Sequence, residues 1–168
     1  MKNITLIGMP GAGKSTIGVI LAKSLLCDFT DTDLIIQKKT GKSLCQLLEE
    51  RGTEGFLQLE NDIIFEESFS NSVIATGGSA VYGKEAMAKL KAESTVIFLD
   101  VAVNELEKRL SNIKTRGVAM KKGTTIKDLY NERLPYYQKY ADVTLDCTGL
   151  SAEDCVDRIV EILKENIR

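Results

Sequence analysis

The sequence contains no histidine among its 168 residues, and it has only four cysteines and two prolines. Without histidine, general-base chemistry falls to a carboxylate or a lysine, and no zinc site of mixed cysteine and histidine ligands is available. The cysteines show neither CxxC pairing nor the dense spacing of a disulfide framework. We therefore interpret them as reduced thiols of a cytoplasmic protein.

Long apolar runs, internal repeats and low-complexity tracts are also missing. The first residues, MKNITLIG, are apolar over too short a length for a signal peptide or a membrane span. A formal net charge of −2 argues against broad binding to nucleic acid. Apolar residues make up 43% and charged residues 27%, which is typical of a globular protein. We expect a single domain over residues 1–168 that is monomeric and binds neither nucleic acid nor membrane.

Short β-rich runs alternate with helical patterns along most of the chain. The runs are NITLIG, the residues before FTD, SVIATGG, STVIFLD and DVTLD. Continuous apolar strands separated by helices predict an α/β fold in which helices cover both faces of a parallel sheet. Residues 33–69 interrupt this pattern with helices alone, and we expect this insertion to cover the crevice at the strand ends. A polar, basic segment at about residues 112–125 predicts a lid.

The segment ITLIGMPGAGKST, residues 4–16, has the spacing Gly8-x4-Gly13-Lys14-Ser15 between a strand and a helix. In this strand-to-helix context the spacing predicts a phosphate-binding loop, because the glycines let backbone amides and the helix N-terminus point at phosphates. Lys14 would neutralise charge between the β- and γ-phosphates, and the Ser15 hydroxyl could ligate Mg²⁺. The loop therefore predicts a site for a nucleoside triphosphate.

Two carboxylates follow in FTDTDLI, where Asp31 and Asp33 end a short apolar stretch. On a strand, residues two apart share a face, so one could support Mg²⁺ through water while the other orients an acceptor hydroxyl. The alternative is that one of them only caps the next helix. Beside a phosphate-binding loop we favour the functional interpretation.

Other candidates depend less on local pattern. ATGGS, residues 75–79, follows a third strand, where paired glycines allow a close backbone approach to a ligand, although a simple turn explains them nearly as well. Arg109 and Arg116 flank the start of the predicted lid, and Arg133 lies on the next helix. Isolated arginines are usually solvated, so the residues alone leave these roles open.

Taken together, these features resemble the shikimate kinases, and the resemblance covers nearly the whole chain. The motifs that carry it are GMPGAGKST, DTD, GKSLCQLLEERGTEGFLQLE, GGS, the arginines around the lid and ERLPYYQKYAD. The resemblance implies a five-stranded parallel sheet of the P-loop kinase type, with a helical acceptor-binding insertion and a lid. It also implies a cytoplasmic enzyme of the shikimate pathway, which leads to the aromatic amino acids.

The resemblance assigns the nucleotide site, with ATP and Mg²⁺ as the expected ligands. Lys14 would hold the transferred phosphoryl group, Ser15 would ligate Mg²⁺ and Asp31 would support the metal through water. Arg109 would lie against the adenine, and Arg116 would close with the lid onto the transferring phosphate. The full nucleotide-binding set is Gly11, Ala12, Gly13, Lys14, Ser15, Thr16, Arg109 and Arg116.

The acceptor site follows from the same resemblance. Asp33 would contact the acceptor hydroxyl, Gly77 and Gly78 would present amides to the acceptor, and Arg133 would pair with its carboxylate. The catalytic residues would be Lys14, Asp33 and Arg116.

The chain departs from the family pattern at two acceptor-site positions. In EGFLQLE, Leu57 stands where the family has a carboxylate-binding arginine after phenylalanine, and Ser79 replaces the third glycine of the family motif. Either another side chain compensates, with Gln58, Lys42 and Arg51 as candidates, or the acceptor is a different molecule. A third interpretation is a shifted helix register in which Leu57 is simply core. At the lid, RGV replaces the usual RPL.

The sequence thus predicts ATP-dependent phosphorylation of a hydroxyl on a small metabolite, with shikimate and its 3-hydroxyl as the first choice. The alternatives are a kinase for another cyclic polyol or hydroxylated metabolite, favoured by Leu57 and Ser79, and a nucleotide-binding regulator without catalysis. The presence of every residue that phosphoryl transfer needs argues against the regulator.

Overall fold

The central sheet has five strands, all parallel, in the order β2-β3-β1-β4-β5. The computed structural model describes residues 2–110 and 118–165. The strands are β1 (Asn3–Ile7), β2 (Asp28–Asp31), β3 (Ser72–Ala75), β4 (Ser94–Asp100) and β5 (Val143–Asp146). The predicted parallel α/β sheet is therefore confirmed.

Helices connect the strands and cover both faces of the sheet. They are α1 (Lys14–Leu25), α2 (Thr32–Thr40), α3 (Leu44–Glu66), α4 (Lys84–Glu93), α5 (Val103–Arg109), α6 (Ile126–Tyr140) and α7 (Ala152–Glu165), with a 3₁₀ turn at Ala80–Tyr82. Every residue of β1 and β3 is buried, as expected for strands with helices on both sides. Helix α1 packs on α7 and β3, whereas α4 packs on β4 and α3. Within the described ranges, no helix is long and apolar enough to cross a membrane.

The segment 33–69 contains α2 and α3 and no strand. Helix α3 begins with a capping box between Ser43 and Gln46 and is interrupted at Gly52, whose φ of 68° and ψ of 178° are not helical. Glycine suits this break because a φ of this sign strains other residues. The apolar side chains of α2 and α3 form a second, smaller cluster that includes Ile36, Leu47 and Phe56.

The register of the sheet places the candidate residues at one edge. Leu6 near the end of β1 lies beside Ala75 of β3 and Ile97 of β4. Because all strands run the same way, the loops after β1, β2 and β3 leave the sheet at the same edge. The loops after β1 and β3 carry the phosphate-binding motif and GGS, and DTD lies where β2 passes directly into α2, so the fold brings the three motifs together.

Candidate functional site

The loop between β1 and α1 has the geometry of an anion cradle. Gly8 has a φ of 149°, and a Cβ there would lie 2.6 Å from the Leu99 carbonyl oxygen. Gly13, at the N-cap of α1, has a φ of 92° and supplies no side-chain cap. The first amides of α1 are thus not capped by the side chain that usually serves there, which suits a helix terminus that binds phosphate.

Lys14 is held against this loop. Its Nζ donates to the carbonyl oxygens of Gly8 and Met9, at 2.8 Å each. Burial, reinforced by the charge of Arg133, lowers the pKa of Lys14 to about 8, while Asp33, Asp31 and Glu60 oppose that shift. The side chain is thus still mainly protonated at neutral pH, in a position where little water screens its charge.

Asp31 joins the phosphate-binding loop to α2. Its Oδ2 accepts from Ser15 Oγ at 2.7 Å, and its Oδ1 accepts from the backbone N–H of Asp33 at 3.0 Å. Asp31 is the N-cap of α2, so β2 ends there and Asp33 lies in the first turn of the helix. The prediction that Asp31 and Asp33 share one face of a strand is therefore wrong, because the capping bond turns the chain into a helix between them. The Asp31 side chain therefore both caps α2 and contacts Ser15.

The oxygens of Ser15 and Asp31 could hold a hard divalent cation. Oxygen ligands suit Mg²⁺, which keeps several waters and is commonly held by one or two protein groups together with phosphates. In the part of the chain that the structure describes, no group of three or more acidic, histidine or cysteine side chains could hold a metal on its own. The residues fit a cation that arrives with a nucleotide better than an all-protein metal cage.

A cavity of about 570 Å³ opens beside the loop. Its walls include most of the predicted site residues, which come from the loops after β1 and β3 and from α1, α2, α5 and α6. They are Gly11, Gly13, Lys14, Ser15, Thr16, Asp33, Gly77, Gly78, Arg109 and Arg133, with Pro10, Leu44, Phe56, Thr76, Ser79, Val118 and Ala119. We call the part formed by Asp33, Gly77, Gly78, Ser79 and Arg133 the Gly77 end of the cavity. Ala12 and Asp31 do not line the cavity, and Asp31 reaches it only through Ser15.

Two carboxylates meet at Gly77. A Cβ on this glycine would lie 2.6 Å from Glu60 Oε1 and 2.7 Å from Asp33 Oδ1. Burial, followed by the charge of Asp31, raises the pKa of Asp33 to about 6. The Gly77 N–H already donates to Thr32 Oγ1 at 3.2 Å, so a contact between Gly77 and a ligand would depend on close backbone approach rather than on a free amide.

Glu60 is a residue of this region that the sequence analysis missed. It is only 1% exposed and its Oε2 accepts from Ser79 Oγ at 2.6 Å. Burial raises the pKa of Glu60 to about 7, with the Ser79 hydrogen bond opposing the rise. The sequence does carry a signal for Glu60, which is its helical spacing from apolar residues. It lies four residues after Phe56, three before Ile63 and four before Ile64, and all three of these residues are buried. An acidic residue on the apolar face of a helix is unusual and marks a candidate functional group.

Arg133 is buried behind the same end of the cavity. It is 1% exposed, its Nη2 donates to the Ala119 carbonyl oxygen at 2.6 Å, and its guanidinium carbon lies 5.5 Å from the centre of the Tyr82 ring. A Cβ on Gly78 would lie 2.9 Å from Arg133 Nη1, so that position also requires glycine. One turn later on α6, Tyr137 donates its hydroxyl to the Gly78 carbonyl oxygen at 2.7 Å. The glycine pair is thus fixed between α6 and α3.

Leu57 does not line the cavity. It packs against the second apolar cluster and lines a separate depression of about 300 Å³ with neighbours that include Tyr82 and Lys84. The three compensating side chains also lie elsewhere: Gln58 Nε2 donates to Asp62 Oδ1 at 2.7 Å, Lys42 pairs with Glu50, and neither these two nor Arg51 lines the cavity.

Arg109 lines the cavity beside the phosphate-binding loop. It pairs with Glu105, and its Nη1 donates to the Gly11 carbonyl oxygen at 3.1 Å. It also lines a smaller cavity of about 190 Å³ formed with Thr16, Cys147 and the start of α7. Arg116 and residues 112–117 of the predicted lid lie outside the described residues.

Comparisons with known proteins agree with this geometry. The family model for shikimate kinase matches residues 10–164. A shikimate kinase from Francisella tularensis subsp. novicida is 36% identical over 168 residues, covering 98% of this chain and 96% of that protein. Threonine synthase-like 1 from Pongo abelii is 38% identical over 166 residues; the match covers 97% of this chain but only 22% of that protein.

A solved structure has the same architecture. Shikimate kinase from Acinetobacter baumannii, in complex with shikimate, superposes with a TM-score of 0.91 at 31% identity, over 99% of this chain and 94% of that one.

Proposed function

The chain belongs to the shikimate kinase family, and we propose that it transfers the γ-phosphoryl group of ATP to the 3-hydroxyl of shikimate. The observation that carries the proposal is the convergence of Lys14, Asp33 and Arg133 on one cavity beside the phosphate-binding loop. These residues come from α1, α2 and α6, far apart in sequence. They supply a phosphate-binding cation, a carboxylate for a hydroxyl and a cation for a carboxylate.

The nucleotide would bind across the loop, with its phosphates toward the uncapped start of α1. Lys14 Nζ, which rests on two carbonyl oxygens, would turn to the phosphate oxygens and stabilise charge that grows during transfer. Ser15 would contact Mg²⁺, and Asp31, which already accepts from Ser15, would hold the metal through water. Mg²⁺ would supply neutralisation of the phosphate charge. Arg109 would lie against the adenine, and Arg116 would act on the transferring group.

The acceptor would occupy the Gly77 end of the cavity. Asp33 would accept a hydrogen bond from the reacting hydroxyl, and then its proton as the new P–O bond forms. Its raised pKa suits this role, because a carboxylate with a pKa of about 6 is a stronger base than an ordinary aspartate and is still ionised at neutral pH. Arg133 would bind the acceptor carboxylate from its buried position, where a charged hydrogen bond is strong.

An assay of ATP consumption with several acceptors tests the proposal. Shikimate, quinate and carboxylate-free cyclic polyols are incubated in parallel with the protein, ATP and Mg²⁺, and the phosphorylated product is identified by ³¹P NMR. We expect turnover with shikimate and a phosphate ester at its 3-hydroxyl. Turnover with a polyol but not with shikimate would show that the proposed acceptor is wrong. Nucleotide binding without transfer to any acceptor would contradict the kinase assignment.

We further propose that a monomer is the catalytic unit, since residues of a single chain supply the phosphate-binding loop, Asp33 and Arg133, and that the protein acts in the cytoplasm, as the resemblance to the shikimate kinases implies. Sedimentation equilibrium at the concentration used for the assay tests the monomer, and fractionation of the source cells tests the compartment.

A further inference from the structure

Glu60 is a buried carboxyl group whose two oxygens have different surroundings. Oε2 accepts the Ser79 hydroxyl at 2.6 Å. Oε1 has no hydrogen-bond partner within the described residues, although its accessible surface is below 1 Å². The same holds for Nε of Arg133. A buried carboxylate oxygen without a donor is costly, and a proton on that oxygen removes the charge that causes the cost.

The charged groups around Glu60 come from three other elements. Asp33 on α2 approaches Oε1 at Gly77, Lys14 on α1 and Arg133 on α6 are the cations that act on it, and Ser79 is its hydroxyl donor. No ion pair joins Glu60 to either cation in the part of the chain that the structure covers. The negative charge of Glu60 is therefore uncompensated by direct contact, and it reduces the positive potential of Arg133.

An anionic ligand at Arg133 would meet two carboxylates in the same buried region. Asp33 must remain ionised to accept a proton from the acceptor hydroxyl, so it cannot relieve the repulsion. Glu60 lies behind the glycine, lines no part of the cavity wall and is free to be neutral. Like charges that share a buried site are seldom both ionised.

We propose that Glu60 takes up one proton when the anionic group of the acceptor binds at Arg133. Ser79 is its positioning residue, since its hydroxyl fixes Oε2 and leaves Oε1 to receive the proton. The inference rests on the proposed function for the identity of the acceptor. The proton comes from solvent or buffer and forms an O–H bond at Oε1, while no bond in the acceptor breaks.

The electrostatics of the free protein agree with this assignment. Burial and the charge of Asp33 raise the pKa of Glu60 to about 7, so a modest further rise on anion binding protonates it at neutral pH. Below this pKa Glu60 is already neutral and the anion binds without proton uptake. Above it, binding must draw a proton, so affinity falls as pH rises.

Calorimetric titration of the full-length protein with shikimate, in the absence of nucleotide, tests the proposal. Buffers of different ionisation enthalpy report the number of protons taken up. For the wild type we expect uptake that approaches one proton at about pH 8, and affinity about tenfold weaker than at about pH 6. Glu60→Gln should bind with no uptake from this site and with a flatter pH dependence. Glu49→Gln, on the same helix but exposed, is the matched control and should match the wild type.

Ser79 variants supply an independent measurement. The Ser79 hydrogen bond holds down the pKa of Glu60, so Ser79→Ala should raise that pKa and move the loss of affinity to higher pH. Ser79→Thr, which keeps a hydroxyl, should restore the wild-type profile. A purely structural role for Ser79 would change affinity equally at every pH and would contradict the proposal.

Proton uptake that persists unchanged in Glu60→Gln overturns the inference, because Lys14 and Asp33 remain in that variant to account for it. If shikimate fails to bind at any pH, the proposed acceptor is wrong. The protonation of Glu60 can then still be measured by infrared spectroscopy, from the carboxyl band that is present in the wild type and absent from Glu60→Gln. Titration of that band near the ordinary glutamate value of 4.5 would then refute the inference by itself.

Discussion

At the phosphate-binding loop the charged groups have partners within the chain, whereas two buried polar atoms in and directly behind the Gly77 end of the cavity have none in the described structure. Lys14 rests on two carbonyl oxygens, and Asp31 accepts from Ser15 and from a backbone amide. Glu60 and Arg133 are each 1% exposed, and each has an atom without a partner. The first region is organised before a ligand arrives, while the second depends on a ligand, a proton or water to complete its hydrogen bonds.

The difference follows from how each region is encoded. The phosphate-binding loop is built from a contiguous segment, and Lys14 contacts carbonyl groups of that same segment. The Gly77 end and its surroundings are assembled from α2, α3, α6 and the loop after β3, so their contacts join separate elements of the fold. Ser79 and Glu60 illustrate this, because they are 19 residues apart and share a hydrogen bond at 2.6 Å.

The largest expected effect on turnover comes from a substitution in the phosphate-binding loop. Lys14→Ala should reduce kcat by about 1,000-fold, because the ammonium acts on charge that develops in the transition state. Steady-state kinetics measures the loss, and circular dichroism checks that the variant is folded. Lys23→Ala, at an exposed position of the same helix, is the control and should retain normal kcat. Near-normal kcat in Lys14→Ala would show that the loop is only structural.

Asp33 connects the two regions, and its replacement should have the next largest effect. Asp33→Asn should lower kcat by about 100-fold while the Kd for ATP changes little, because the amide cannot accept the hydroxyl proton. Equilibrium nucleotide binding alongside turnover separates the two quantities. Weakened ATP binding with unchanged kcat would assign Asp33 to the nucleotide instead.

The pH profile sharpens the same assignment. A base with a pKa of about 6 is protonated below that pH, so kcat/KM should fall about tenfold per pH unit on the acid side. Lys14, with a pKa of about 8, loses its charge as pH rises above that value, so activity should also fall on the alkaline side. A profile that stays flat down to pH values near those of an ordinary aspartate would contradict the role given to Asp33.

Leu57→Arg tests whether the buried charges around the Gly77 end can be given partners within the chain, as the charged groups of the phosphate-binding loop already have. The new guanidinium would begin three residues before Glu60 on the same helix, within reach of a side chain one turn away. We expect it to pair with Glu60, to lower the KM for shikimate about tenfold and to leave the KM for ATP unchanged. Leu57→Lys, a cation without the planar fork, should give a smaller gain. A higher KM for shikimate would indicate that the new charge is unpaired.

The smallest expected effect concerns the nucleotide base. Arg109 pairs with Glu105 and donates a hydrogen bond to the Gly11 carbonyl oxygen, beside the phosphate-binding loop. Arg109→Ala should raise the KM for ATP about threefold through loss of a cation–π contact, without changing the KM for shikimate. Kinetics with each substrate varied in turn measures both. An effect on shikimate alone would place the nucleotide differently in the cavity.

The sheet and the phosphate-binding loop were predictable because their signals are local. Apolar β-rich runs between helical patterns indicate buried parallel strands, and the glycine spacing before Lys14 requires a strand-to-helix turn. The resemblance to the shikimate kinases supplied the strand number, and the sheet confirms it. The role of each site residue remains a prediction, although most of the predicted residues line one cavity.

Tertiary contacts explain what the sequence did not predict. The sequence predicts a strand for Asp33 because composition does not distinguish a strand end from a helix start at which the Asp33 backbone N–H donates to Asp31. The motif compares Leu57 with a carboxylate-binding arginine, whereas its packing against an apolar cluster beside a different depression agrees with the alternative that Leu57 is core. Glu60 was overlooked because an acidic residue in a charged helix looks solvated until its neighbours are known to be buried.

The surroundings of Gly77 restrict which substitutions can change the acceptor of this site during evolution. A methyl group there would meet the carboxylates of both Glu60 and Asp33, and one at Gly78 would meet Pro10 and Arg133. A substitution at either glycine therefore requires these neighbours to move. Leu57 lies outside the cavity and Ser79 already places a side chain beside Glu60, so a selection experiment for a new acceptor should accumulate its first substitutions at these positions rather than at the two glycines.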